Sequence, residues 1–288
     1  MSLASAQEGG AGLSDASGSG GRGTSILTAG VMLSSAGLAW IVSFTFMSSM
    51  PGGAIGTQSN GAMLPIMTMA MMFSSFDQGR LFSFLLIWIV GMVAMMFPAM
   101  VPVLLTYNRL KANFELNRPS TRVLGFILFL GGYLFLYAIL GLAAFTALYS
   151  AFQIAGVLPS LAGYTLLAAS GVLIVTGVWQ LTPLKDRCLA QCVSPFGFFL
   201  MHAKKGLIGA FRMGAKHGYY CVGCCYMYML VMVGVAAMSI PSMILLATLL
   251  TIEKAIARGA RLFRWASAAL FVALGVALVL SPQFFGFA

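Results

Sequence analysis

Long apolar stretches, separated by short polar or basic breaks, run through this chain from residue 25 to its end. A helix crossing a bilayer needs ~20 predominantly apolar residues. Seven stretches are read as such helices: Ser25–Met47, Leu81–Tyr107, Val123–Ala151, Val157–Leu181, Tyr219–Met238, Pro241–Ile256 and Phe263–Phe284. The sixth is short and follows directly on the fifth, so the two read as separate crossings or as one kinked element. The expected fold is all-α, a polytopic transmembrane bundle of about seven spans.

Composition points the same way. The chain is 60% hydrophobic and 8% charged, with a mean hydropathy of +0.96. Soluble domains carry about 25% charged residues, so lipid is expected to be most of this chain's solvent. The net charge of +10 does not imply nucleic acid as a partner, because the basic residues flank apolar spans. Basic residues favour the cytoplasmic side of membrane proteins. With the N-terminus in the cytoplasm and every span crossing, all Lys and Arg residues except Arg80 fall inside. The C-terminus is then outside, and the expected location is a bacterial inner (cytoplasmic) membrane.

Residues 1–23 are rich in Gly, Ser and Ala, read as a disordered leader, and do not resemble a signal peptide. Residues 24–288 read as one transmembrane helical domain. Within it, 48–80 form an outer segment with the run AMLPIMTMAMM, and 182–218 form a cytoplasmic segment. The stretch Phe198–Lys216 mixes basic and apolar residues, a pattern expected of an amphipathic helix on the inner leaflet.

Sulfur is the chemical signal. All five cysteines, Cys188, Cys192, Cys221, Cys224 and Cys225, lie close together in sequence. Cys188 and Cys192 are one helical turn apart, and the other three follow i, i+3, i+4 spacing, so each group can share a face. Both groups are expected at the cytoplasmic membrane surface, where thiols stay reduced. An odd number also leaves a purely disulfide framework incomplete. Soft sulfur ligands select Cu(I), zinc or iron–sulfur centres. A copper ion is the expected ligand, with zinc as the alternative. Iron–sulfur spacing is absent. His217, four residues before Cys221, is a candidate fourth ligand, whereas His202 is read as a solvated surface residue.

Met92, Met96 and Met100, flanked by Met95, form a stripe at four-residue spacing beside Pro98 and Pro102. Met227, Met229 and Met232 continue from the cysteines. Facing helices would line a sulfur route through the membrane, although such methionines more commonly serve packing. Glu253 and Lys254, near the inner end of the sixth span, are functional candidates because ionisable residues are costly in lipid. The competing reading is a helix-end pair with Lys254 snorkelling to the headgroups. Asp186 is read as solvated. No nucleotide-binding loop, Ser-His-Asp set or paired catalytic carboxylates is evident, and no catalytic residue is assigned.

The segments WIVGMVAMMFPAMVP, GVWQLTPLKDRCLAQCVSP, HGYYCVGCCYMYMLVMVGVAAM and IEK resemble a bacterial family of predicted metal-binding integral membrane proteins, over about residues 80–283. The resemblance implies that Met95, Met96, Pro98, Lys185, Cys188, Cys192, Cys221, Cys224, Cys225, Glu253 and Lys254 belong to a shared pattern. The chain departs from it at Tyr226, where Trp is expected, and at Ser239, where Asn is. The leading expectation is Cu(I) transport, or delivery to a membrane copper enzyme. The alternatives are a non-catalytic accessory subunit of a larger membrane complex and a membrane dithiol oxidoreductase. The expected partners are lipid, a copper enzyme and other membrane subunits.

Overall fold

A computed structural model describes residues 20–49, 76–110, 119–157, 165–235, 240–255 and 260–280. Residues 1–19 of the leader and 50–75, with the outer methionine run, lie outside the described residues, as does Ser239. The described residues form nine α-helices and no strand. They are α1 (Gly20–Ser49), α2 (Gln78–Leu110), α3 (Pro119–Val157), α4 (Thr165–Trp179), α5 (Pro183–Val193), α6 (Pro195–His202), α7 (Gly206–Gly234), α8 (Ile240–Ala255) and α9 (Ala260–Leu280).

Four helical stretches are long and apolar enough to cross a membrane: Ser25–Phe46, Gln78–Leu110, Ser120–Ile154 and Arg261–Leu280. A fifth arises if α4 and α5, bent by 67° at their junction, count as one broken span. Helix α7 carries Arg212, Lys216 and His217 in its first half, and α8 has only 16 residues. At 1.5 Å per residue α8 is about 24 Å long, short of a ~30 Å hydrocarbon core. These two helices correspond to the fifth and sixth expected spans.

Small residues set the packing. Helix α3 lies along α7, α1 along α2 and α4 along α9. A Cβ on Gly214 would collide with the backbone oxygen of Phe129, and one on Gly132 with that of Phe211. The α3–α7 backbones therefore touch where only glycine fits, as in tightly packed membrane helices. Gly177 and Gly275 serve the α4–α9 pair in the same way, facing Ala268 O and Ser170 O. Pro98 and Pro102 lie inside α2 without ending it. A packed membrane helix tolerates the two lost hydrogen bonds.

The segment 182–218 departs from expectation. Thr182 caps α5 by accepting from the Lys185 backbone N–H at 3.4 Å, with Pro183 at the first helical position. Both are preferred there. Helix α5 then turns its Lys185, Cys188, Leu189 and Cys192 face into the bundle. No single amphipathic helix spans 198–216: α6 ends at His202, and α7 begins at Gly206, whose φ of 75° suits glycine alone. Phe198 and Phe199 are fully buried against Tyr107, Phe129 and His217. Their aromatic area is worth more inside the bundle than at a headgroup surface. His202 is likewise no free surface residue: its ring stacks on Phe198 with centroids 5.0 Å apart.

Candidate metal centre

Helix α7 places Cys221, Cys224 and Cys225 on one buried face, as the i, i+3, i+4 spacing requires. Helix α5 brings Cys192 to the same place, its thiol 3.8 Å from that of Cys224. The Sγ atoms of Cys192, Cys221 and Cys224 all lie within 4.8 Å of one another. A trigonal set with metal–sulfur bonds of about 2.3 Å has sulfurs ~4 Å apart, so little movement separates this arrangement from a closed three-sulfur site. All five thiols are free and buried.

Cys188, Cys225 and His217 stand outside the three-sulfur set. The Cys188 thiol packs on Gly223 of α7, where a Cβ would lie 2.7 Å from it. Gly223 thus lets α5 approach α7. The Cys225 thiol donates to Cys221 O at 2.8 Å and lies 3.8 Å from the Tyr137 hydroxyl. His217 is buried among Phe129, Tyr133 and Phe198, and its Nδ1 has no hydrogen-bond partner among the described residues.

Two further helices complete the surroundings. From α3, the Tyr133 hydroxyl lies 3.3 Å from the Cys221 thiol and 3.4 Å from the Tyr137 hydroxyl. From α8, the Lys254 ammonium donates to Cys221 Sγ at 3.1 Å and to Met96 Sδ at 3.8 Å. Lys254 therefore does not snorkel: the thiol and thioether draw its head inward. The centre lies near mid-length of α2, α3 and α7.

Met92, Met96 and Met100 are buried on α2 at the expected spacing, and Met96 is the one that reaches Lys254. Met95 is buried as well and lines the floor of an open groove of about 430 Å³ with Trp40, Phe44 and Pro98. Met229 and Met232 are buried on α7, whereas Met227 is half-buried.

Glu253 belongs to a second polar cluster beside the thiols. Its carboxylate is 2.6 Å from the Lys185 ammonium, and both side chains are almost completely buried. Tyr228 donates to the other carboxylate oxygen at 3.2 Å. Lys185 also donates to the Gln180 side chain and sits 4.9 Å above the Tyr228 ring. One residue along, Asp186 pairs with Arg264 of α9 at a partly exposed site.

A family model described as the copper chaperone PpoB2 matches residues 85–278. The chain belongs to that family. Its match ties this cysteine-bearing helical chain to copper handling, and the three-thiol set is a possible site for the metal. Zinc gains no support from the match or from this set, which lacks the fourth ligand of a structural zinc site. No curated protein and no solved structure matches the chain.

Sequence reasoning missed Tyr133 and Tyr137 and gave Lys185 no role at the site. The tyrosines left a signal: two hydroxyls at i, i+4 directly after Gly131-Gly132 in an apolar stretch. Nothing in the sequence paired Lys185 with Glu253, which lies in another helix.

Proposed function

We propose that the chain holds Cu(I) through Cys192, Cys221 and Cys224 and passes it to a copper enzyme of the same membrane. The observation that carries this reading is the convergence of three buried sulfurs from two helices. Thiolates are soft ligands that suit Cu(I). Burial keeps water and oxidants from metal and thiols alike. The Lys254 ammonium beside Cys221 offsets the negative charge gathered on a thiolate cluster, a charge that would be costly unpaired in a dry interior. The Tyr133 hydroxyl hydrogen-bonds Cys221 of the set and helps hold it in place, while Tyr137 contacts the neighbouring Cys225. The buried Met92, Met96 and Met100 offer weaker thioether sulfur along α2, which suits an ion in passage more than one held permanently.

The membrane setting belongs to the same proposal. Seven crossings in a bacterial inner membrane, with the N-terminus inside and the C-terminus outside, leave only Arg80 outside among the basic residues. A role as a subunit of a larger membrane complex is compatible with carrying copper.

The test is metal content by mass spectrometry on protein purified under reducing conditions. It is run beside a variant with Cys192, Cys221 and Cys224 changed to Ser. Copper in the parent and none in the variant is the expected result; no copper in the parent sinks the reading.

One distance favours a second reading. The 3.8 Å between the Cys192 and Cys224 thiols would also suit a dithiol oxidoreductase. That reading requires Cys192→Ser or Cys224→Ser to trap mixed disulfides with partner proteins; failure to trap any counts against it.

A further inference from the structure

The three sulfurs do not share one support. Cys221 and Cys224 are fixed by a single turn of the 29-residue α7. Cys192 comes from the 11-residue α5, which hangs from the 67° corner after α4. A short helix behind a bend does not by itself fix where its last turn points; the packing of Cys188 on Gly223 of α7 and the buried Phe198 and Phe199 of α6 constrain it from the far side. Its sequence, PLKDRCLAQCV, offers only Leu189 and the two cysteines as buried apolar side chains. What ties its first turn is ionic: Lys185 to Glu253 of α8, and Asp186 to Arg264 of α9. Lys185 and Cys192 are seven residues apart, two turns along one buried face. On the partner helix, Glu253 is followed directly by Lys254, which touches Cys221.

We infer that the Lys185–Glu253 ion pair is a positioning device that docks α5 on α8 and thereby delivers the Cys192 thiol to Cys221 and Cys224. Lys185 and Glu253 act through Cys192 and touch no sulfur in this role. The pair is fully buried, so it is costly to form and costly to break. It is therefore well suited to fix one arrangement of α5. The inference draws its purpose from the copper reading, but its first test does not depend on copper.

That test uses the full chain in lipid nanodiscs, with Cys188, Cys221 and Cys225 changed to Ser so that Cys192 and Cys224 alone remain. The oxidant is diamide, which takes up the two thiol protons and two electrons as the disulfide forms. Mass spectrometry reads the initial rate. Adding Glu253→Gln is expected to slow closure about tenfold, the lower end of what an orienting partner contributes at a metal site. Exchanging the charges, Lys185→Glu with Glu253→Lys, is expected to restore most of the rate. Closure at the parent rate in Glu253→Gln overturns the inference. If that variant is not monodisperse, the exchanged pair decides: a slow rate in a folded exchange variant overturns it as well.

A second measurement loads the protein, all five cysteines present, with Cu(I) added as its acetonitrile complex. X-ray absorption then counts the sulfurs. Three in the parent and two in Glu253→Gln is the expected result; three in both overturns the positioning role alone. A parent that binds no Cu(I) but shows the expected disulfide rates overturns the copper reading and leaves the positioning role standing.

Discussion

Helices α7 and α5 both present cysteines at helical spacing, yet they hold them by different means. Helix α7 is long and locked to α3 by glycines at which the backbones touch, and its thiols are fixed by its own turn geometry. Helix α5 is short, follows a sharp corner and carries one charge, Lys185, on its buried side. One half of the centre is preorganised mainly by helix packing, with Tyr133 and Lys254 hydrogen-bonded to Cys221. The other adds, to the packing of Cys188 on Gly223, ion pairs between elements far apart in sequence. Packing tolerates little change of shape, whereas an ion pair tolerates little change of charge, so the two halves should fail under different substitutions.

The largest contrast is expected in copper affinity. Cys221→Ser or Cys224→Ser should abolish measurable binding in competition with a chromogenic Cu(I) chelator, because each removes one of the two sulfurs of the preorganised half. Cys192→Ser should leave two-sulfur binding weaker by roughly one to two orders of magnitude, or about 1.4–2.8 kcal/mol. Equal losses for all three would erase the distinction between the halves.

Stability should show the charge sensitivity of α5. Lys185→Met leaves the Glu253 carboxylate buried without its cation, which costs about 3–5 kcal/mol. Lys185→Met combined with Glu253→Leu should recover most of that, because an apolar pair avoids the desolvation penalty. Denaturant titration followed by helical circular dichroism checks both. A double variant no better than the single one would mean that the pair matters through more than charge.

The shape sensitivity of α7 should be somewhat smaller. Gly214→Ala forces a Cβ into the Phe129 backbone oxygen and should lower stability by about 1–3 kcal/mol. Gly131→Ala, next to the contact but with nothing near its Cβ, should be neutral or slightly stabilising, since Ala favours helix by up to about 1 kcal/mol. A thermal melt that does not separate the two would remove the close α3–α7 contact from the account.

The smallest effects belong to the surroundings. Tyr133→Phe removes a single hydroxyl contact to Cys221 and should change copper affinity by about 0.5–1.5 kcal/mol. Asp186→Asn breaks a partly exposed pair and should cost no more than about 1 kcal/mol in the same unfolding assay. An Asp186 effect as large as that of Lys185 would shift the anchoring of α5 from α8 to α9.

Much of this was legible in particular residues. The spacing of Cys221, Cys224 and Cys225 placed them on one face of one helix, and Met92, Met96 and Met100 share a buried stripe. The stretch Phe198–Lys216 was misread as one surface helix because a mixed basic and apolar composition fits a surface helix and a buried one equally well. Phe198 and Phe199 there, and Lys185 before it, are buried because partners from α2, α3 and α8 wait for them. Local pattern carries no record of those partners. Lys254 shows the same limit: near a helix end it reads as a snorkelling residue, until a thiol from another helix is found beside it.

Residue order therefore points to an all-helical, strongly apolar molecule and to soft-metal chemistry, because hydropathy, helical period and ligand softness are local properties. It does not settle which cysteines meet, at what depth, or what holds them. Those depend on the corner between α4 and α5 and on a lysine and a glutamate sixty-eight positions apart. Contacts between distant segments exist only once the chain has packed, so tertiary structure alone turns a sulfur-rich stretch into a three-thiol centre.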